Sequence, residues 1–148
     1  PSIQITTGGA CHLEMPLIER ALPELGQTSF DYLFLEDIGN LICPASHELG
    51  EHLRVLLLST TEGDDKPGKY PKAFRTSQAV VITKTDLLPY VPFSPKRAAA
   101  DALVVQPELK VLSLSALSGD GLPDWFAFLQ EQRERAVDGD AARCSDVP

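Results

Sequence analysis

Residues 79–86, with the sequence AVVITKTD, decide the fold class. Their first part, Ala79–Thr83, is a short continuous apolar run, which is typical of a strand buried on both faces of a parallel sheet. Similar apolar segments on either side predict four further strands, at Ile3–Thr6, Tyr32–Glu36, Leu53–Ser59 and Lys110–Ser115.

Helical patterns alternate with these strands. They predict helices over His12–Leu25, Ser94–Val105 and Pro123–Arg135, the second of which begins with an N-cap serine followed by proline. Alternating strands and helices predict an α/β fold, a three-layer sandwich around a mostly parallel sheet. Residues 1–135 are therefore expected to form one domain, and the small polar residues 136–148 a flexible C-terminal tail.

The composition excludes several classes of protein. The 148 residues carry 13 Lys and Arg against 21 Asp and Glu, a net charge of −8, which argues against nucleic acid as the main partner. No apolar run approaches the ~20 residues needed to span a bilayer. Three cysteines are too few for a disulfide framework, so we expect a reducing compartment, the cytoplasm.

Ligands of open α/β sheets bind where strands end, so the residues after each strand are the candidates for function. The sequence TKTD follows Ala79–Thr83, and its Lys84 and Asp86 suit guanine recognition, because a carboxylate can accept hydrogen bonds from N1–H and the N2 amino group. A solvated turn explains the same residues about equally well. Ser115-Ala116 follows the last strand, where a backbone N–H can contact guanine O6, although a glycine-rich turn is an alternative.

Two other segments bear on nucleotide chemistry. Tyr32–Glu36 is followed by an acid-rich turn, EDIG, that suits Mg²⁺ held through water near a γ-phosphate; Glu36 is the first candidate for this role and Asp37 the second. Gly63–Tyr70 (GDDKPGKY) resembles a phosphate-binding loop superficially. Its two aspartates would repel phosphate and its proline removes an N–H, so we predict that it does not bind phosphate.

A possible metal site is formed by Cys11, His12 and Cys43, because thiolate and imidazole suit Ni²⁺ or Zn²⁺. Two structural thiols explain these cysteines equally well. Three ligands leave the site one short, and the fourth could be water or a residue of a second subunit. His47 and His52 are nearby but are expected to face solvent, and Cys144 has no assigned role.

Taken together, TGGACHLE, FLEDIGNLICPASHELGE, LLSTTEGDDKPGKYP, ITKTDLLPYV and SALSGDGLPDWFAFL occur in this order and closely resemble the HypB family of hydrogenase nickel-incorporation GTPases. The resemblance covers about residues 3–132. It implies a P-loop NTPase domain of the SIMIBI type, and a chain that begins after the family's first strand and phosphate-binding loop. Thr83 departs from the family, which usually has Asn there.

The resemblance also implies a function. The protein would bind and hydrolyse GTP with Mg²⁺, form a homodimer, and deliver Ni²⁺ to the large subunit of [NiFe]-hydrogenase with a small zinc-containing partner chaperone. The family's guanine-binding positions are matched by Lys84, Asp86, Ser115 and Ala116. Its acidic segment beside the metal ion is matched by Glu36 and Gly39. Cys11, His12 and Cys43 match a Zn²⁺ or Ni²⁺ site at the dimer interface. The alternatives are a metal-binding dimerisation module without nucleotide chemistry and a plain α/β domain with structural cysteines.

Overall fold

The computed structural model describes residues 1–26 and 29–145, with the side chains of 139–145 left aside. The chain divides into two compact units, Pro1–Glu51 and His52–Pro148. Each unit is described by itself below.

The N-terminal unit contains one α-helix, α1 (Met15–Ala21), continued by a 3₁₀ turn (Leu22–Leu25), and a second 3₁₀ turn, Pro44–Ser46. The helix predicted over His12–Leu25 therefore starts later than expected, because Glu14 is extended and a proline in the first turn favours a helix start there. The small core of this unit includes Leu13, Ile18 and Ala45, which are all buried.

Two of the five predicted strands are wrong. Within the described residues, neither Ile3–Thr6 nor Tyr32–Glu36 is a strand. All pairing between strands in these residues lies in the C-terminal unit. A strand needs a hydrogen-bonded neighbour as well as an apolar sequence, and these segments have none. Accordingly, Tyr32, Leu33 and Phe34 remain 43%, 45% and 69% exposed.

The C-terminal unit is built on a parallel sheet of β1 (Val55–Ser59), β2 (Ala79–Thr83) and β3 (Lys110–Ser113), in the order β1-β2-β3. The pairing puts Val55 opposite Ala79 and Ala79 opposite Lys110. Successive residues of a strand point to opposite faces, so the burial of Ala79, Val80, Val81 and Ile82 means that both faces are covered at β2. The predicted parallel sheet and its three strands in this unit are confirmed.

The helices of this unit are α2 (Lys66–Lys69), α3 (Pro71–Arg75), α4 (Pro95–Val105) and α5 (Leu122–Ser145), with a 3₁₀ segment at Thr85–Tyr90. The helix predicted over Ser94–Val105 is confirmed as α4, and Ser94 Oγ accepts the Arg97 N–H at 3.3 Å as its N-cap. Helix α5 starts where predicted but runs on to Ser145, since residues 136–145 hold several alanines and no proline. The tail expected from 136 is therefore helical to that point, while 146–148 lie outside the described residues.

Candidate functional site

The first candidate site lies where β2 ends. After Thr83 the chain takes a left-handed turn at Lys84 (φ 60°), and Asp86 follows in the first turn of the 3₁₀ segment. This conformation costs a non-glycine residue about 1–2 kcal/mol. The buried Thr60 holds it in place, because its N–H donates to Thr83 O at 3.1 Å and its hydroxyl to Lys84 O at 2.9 Å.

Ser115 joins the ends of β2 and β3. Its hydroxyl donates to Asp86 Oδ1 at 2.5 Å, and its oxygen accepts the N–H groups of Leu117 at 3.2 Å and Ser118 at 3.1 Å. Ser115 is fully buried, whereas Asp86 is half-buried. Asp86 Oδ2 makes no hydrogen bond or ion pair with other described residues, so the carboxylate is held at one oxygen and keeps acceptor capacity at the other.

The loop after β3 is held by its own backbone. Ser115 N–H donates to Asp120 O at 2.9 Å. Gly121 has a φ of 75°, and a Cβ placed there would lie only 2.1 Å from Ser113 O, so the loop requires glycine at this point. Ala116 at the tip is exposed, and its N–H donates to no other described residue. Lys84, Asp86, Ser115 and Ala116, called the base edge below, are thus brought to one end of the sheet.

The segment Gly63–Tyr70 is engaged in ion pairs. Asp64 Oδ1 lies 3.5 Å from Arg97 Nη1, and its other oxygen accepts a backbone N–H at the start of α4. Both lysines are also paired, Lys66 with Glu62 at 3.4 Å and Lys69 with Asp65 at 2.7 Å. These contacts agree with the interpretation of this segment as structural rather than phosphate-binding.

In the N-terminal unit, Cys11, His12, Cys43 and His47 come together and are called the Cys–His cluster below. Cys11 Sγ lies 3.7 Å from His12 Nδ1, and the rings of His12 and His47 stack with centroids 3.6 Å apart. Interaction with the neighbouring Cys11 thiol raises the pKa of Cys43 above its ordinary value. His47 is exposed as predicted, but its stacking on His12 was not; His52 is exposed in the other unit.

One nitrogen atom of this cluster is able to bind a metal ion. His12 Nε2 is buried without a hydrogen-bond partner, and Glu14 Oε1 at 3.6 Å is too far to provide one. A buried imidazole nitrogen left unsatisfied costs free energy that a bound metal ion would recover. Within residues 1–26 and 29–145, however, no group of three or more His, Cys, Asp or Glu side chains is arranged to hold a metal ion by itself.

The acidic turn near the cluster serves the backbone. Asp37 Oδ1 accepts the N–H groups of Leu13 at 2.9 Å and Ile38 at 2.7 Å, which ties this turn to the loop that carries Cys11 and His12. Glu36 and Gly39 are exposed and carry no such bond among the described residues. Of the two acids predicted to hold Mg²⁺, Glu36 is therefore the more available.

Asn40 is a site residue that the sequence analysis missed. Its side chain contacts the backbone of both cysteines, donating to Cys11 O at 2.8 Å and accepting from Cys43 N at 2.9 Å. An Asn placed just before a proline-containing turn is a known signal for side-chain bonds to the next backbone N–H groups. The bond to Cys11, 29 residues away, has no signal in the sequence.

The parallel sheet and the polar residues gathered where β2 and β3 end define an α/β nucleotide-binding domain with the P-loop NTPase fold. The chain belongs to the CobW/HypB/UreG family, whose nucleotide-binding domain model matches residues 1–113. It is 44% identical over 133 residues to the hydrogenase maturation factor HypB of Escherichia coli (strain K12). These aligned residues make up 90% of this chain and 46% of that protein. The predicted resemblance to HypB is confirmed.

Two further comparisons agree. The chain is 41% identical to the hydrogenase/urease maturation factor HypB of Helicobacter hepaticus, over 88% of this chain and 55% of that one. The crystal structure of HypB from Helicobacter pylori in complex with nickel has a TM-score of 0.85 and 38% identity, covering 90% of this chain and 64% of that one. The chain thus spans about half the length of the curated relatives it matches. Among the described residues, no helix has the length and apolarity needed to cross a membrane.

Proposed function

We propose that this chain is part of a GTP-binding and GTP-hydrolysing nickel metallochaperone that acts in [NiFe]-hydrogenase maturation. The observation that carries the proposal is the convergence of Cys11, His12 and Cys43, with His12 Nε2 buried and unsatisfied, in a member of this family. The similar HypB proteins are hydrogenase maturation factors, and one of them was crystallised in complex with nickel.

The base edge would bind guanine. Asp86, oriented by Ser115, would accept N1–H and the N2 amino group, and the exposed stem of Lys84 would lie along the ring. The free N–H of Ala116 suits the O6 oxygen. Adenine lacks the donor pair that a carboxylate requires, so this arrangement selects GTP over ATP.

At the acidic turn, Glu36 would hold Mg²⁺ through water, and Asp37 is the alternative residue for this role. Gly39, which has no side chain, would let the metal-bound phosphate come close to the backbone of the turn. Mg²⁺ suits such carboxylates and, when bound, neutralises charge on the phosphates. Asp37 already accepts two backbone N–H groups through Oδ1, so it would contribute through its other oxygen.

Nickel is the proposed cargo, with Zn²⁺ the competing ion. A thiol binds a metal ion as the thiolate, so uptake by Cys11 and Cys43 would release protons. Since the described residues supply too few ligands, a second copy of the chain would complete the site in a homodimer. The proposed partners are a small zinc-containing chaperone and the large hydrogenase subunit, in the cytoplasm.

A second candidate is a metal-binding dimerisation module that has no nucleotide chemistry. It is favoured by one observation: the only sequence resembling a phosphate-binding loop, Gly63–Tyr70, has its charged side chains in ion pairs. In this case the Cys–His cluster alone would carry the function.

The nucleotide part is tested by GTP hydrolysis of the complete gene product that contains this chain. Asp86→Asn should lose GTP affinity and gain affinity for xanthosine triphosphate, because the amide offers a donor to the oxygen that xanthine carries in place of the N2 amino group. Turnover at background in a folded wild-type protein would favour the dimerisation module. An unchanged preference for GTP in the variant would remove Asp86 from the base edge.

The metal part is tested by titrating the protein with Ni²⁺ while recording thiolate-to-metal charge-transfer absorbance. Cys11→Ala and Cys43→Ala should each abolish the band, and Cys144→Ala, at a cysteine with no proposed role, should leave it intact. If the first two variants bind Ni²⁺ as the wild type does, the proposed metal site is wrong.

A further inference from the structure

One amide side chain spans the two cysteine-bearing segments of the N-terminal unit. Asn40 Nδ2 donates to Cys11 O at 2.8 Å, while Asn40 Oδ1 accepts from Cys43 N at 2.9 Å and from Ile42 N at 3.1 Å. Cys11 and Cys43 are 32 positions apart in the chain (43 − 11), yet the same three-atom amide contacts both backbones.

The orientation of this amide is fixed by its partners. One end faces two N–H donors and the other end faces a carbonyl acceptor, so only Oδ1 toward Ile42 and Cys43 with Nδ2 toward Cys11 satisfies all three. All three bonds have ordinary lengths for N–H···O hydrogen bonds. Asn40 is half-buried, and its bond from Cys43 N is partly shielded from water, whereas the bonds to Cys11 O and from Ile42 N are exposed.

A second bond reinforces the connection. Asp37 Oδ1 accepts the N–H of Leu13 at 2.9 Å, so the segment 37–40 holds the loop at 11–13 through two side chains. Asp37 contacts only one of the two cysteine-bearing segments, whereas Asn40 contacts both. Asn40 thus hydrogen-bonds to the backbone of both segments, beside the link made by the stacking of His12 on His47.

We propose that Asn40 is a positioning residue of the Cys–His cluster, which sets the distance between Cys11 and Cys43 so that both thiolates bind one metal ion. The proposal rests on the metal site proposed above. Groups that orient metal ligands without touching the ion typically change metal affinity by about 10–100-fold when they are removed.

The test compares two variants of Asn40 in the full chain. Asn40→Ala removes all three bonds, whereas Asn40→Asp keeps the acceptor for Ile42 and Cys43 but replaces the donor to Cys11 O with a charged oxygen that repels this carbonyl. Gln106→Ala is the matched control, because it removes a side-chain amide bond to a distant backbone carbonyl, Arg75 O at 3.2 Å, in the other unit.

Ni²⁺ affinity is measured by competition with a chelator, and charge-transfer absorbance per bound Ni²⁺ reports how many thiolates coordinate. We expect both Asn40 variants to bind about 10–100-fold more weakly with a weaker band, and Gln106→Ala to match the wild type in both. A role in folding alone would lower thermal stability without changing the band of the metal-bound protein.

A second readout needs no metal. In the metal-free protein, diamide oxidises adjacent thiols to a disulfide, taking up the two hydrogens itself. The two proteins compared both carry Cys144→Ala, and one of them also carries Asn40→Asp. We expect the Cys11–Cys43 disulfide to form several-fold more slowly in the protein with Asn40→Asp. This variant keeps the turn at Cys43, so it also carries the test if Asn40→Ala fails to fold.

The outcomes separate the two proposals. Loss of Ni²⁺ binding in Cys11→Ala with wild-type binding in Asn40→Asp would overturn the positioning role and leave the metal site standing. Equal weakening in Asn40→Asp and Gln106→Ala would overturn it too, because the effect would then be general. Unchanged binding in Cys11→Ala would overturn the metal site and the role of Asn40 with it.

Discussion

Gly121 is the position where the loop of the base edge tolerates substitution least. Its φ is +75°, a region that costs other residues about 1–2 kcal/mol. A Cβ there would lie 2.1 Å from Ser113 O, whereas real contacts of this kind are at least 3.0 Å, so the backbone must move by about 0.9 Å (3.0 − 2.1). Ser113 pairs with Ile82 in the β2–β3 ladder, so the shift disturbs the sheet.

Forced backbone shifts in packed regions cost about 1–3 kcal/mol. Gly121→Ala should therefore lower the free energy of unfolding by roughly 2–5 kcal/mol. Gly119→Ala is the matched control, because Gly119 also has a positive φ, +87°, but a Cβ there meets nothing within 4 Å. This control should cost only the conformational term, about 1–2 kcal/mol.

The assay is urea unfolding followed by the fluorescence of Trp125, the only tryptophan. Trp125 reports on the right place, because its backbone N–H donates to Gly121 O at 3.1 Å and its ring centroid lies 6.0 Å from that of Phe128. Equal midpoints for the two glycine variants would refute the reasoning, since the contact with Ser113 would then add nothing to the conformational cost.

Three further predictions use the same unfolding measurement. Phe74→Ala should cost about 3–5 kcal/mol, because Phe74 is 0% exposed, while Tyr90→Ala, at 82% exposed, should change stability by less than about 0.5 kcal/mol; similar losses would contradict this. Ser94→Ala should cost about 1 kcal/mol by removing the N-cap of α4, and Ser94→Asp should recover most of it; no recovery would count against capping. Lys69 lowers the pKa of Asp65 below its ordinary 3.8, so this pair stabilises the fold above that pH and the stabilisation is lost as pH falls through the lowered value. Asp65→Asn should therefore have a slightly lower unfolding midpoint than wild type near neutral pH and the same midpoint once the pH is below the lowered pKa of Asp65, and a difference that persists in strong acid would argue against the ion pair.

Prediction from sequence succeeded where the local pattern carried the cause. The apolar runs of β2 and β3 and the Ser-Pro start of α4 contain what those elements need, namely side chains to bury and a cap. It failed for Tyr32–Glu36, because an apolar run becomes a strand only when another strand pairs with it. It also ended α5 too early, since the alanines after Arg135 are good helix formers.

The candidate site shows the same division. Asp86 and Ser115 could be named from the sequences that follow two strands, yet the hydrogen bond between them depends on β2 and β3 lying side by side. His47 was considered from its spacing, but its stacking on His12 comes from the folded chain. Asn40 was missed, because its bond to Cys11 links residues 29 positions apart.

By itself, the sequence determined the residue types that the chemistry needs: the carboxylate that suits guanine, the thiols and imidazole that suit nickel, and the apolar segments that build a parallel sheet. Only the tertiary structure decided which of these groups meet. Hydrogen bonds act over about 3 Å, and contacts at that distance between remote residues depend on how the whole chain packs. The tie between Cys11 and Cys43 through Asn40, and that between Asp86 and Ser115, are therefore properties of the fold.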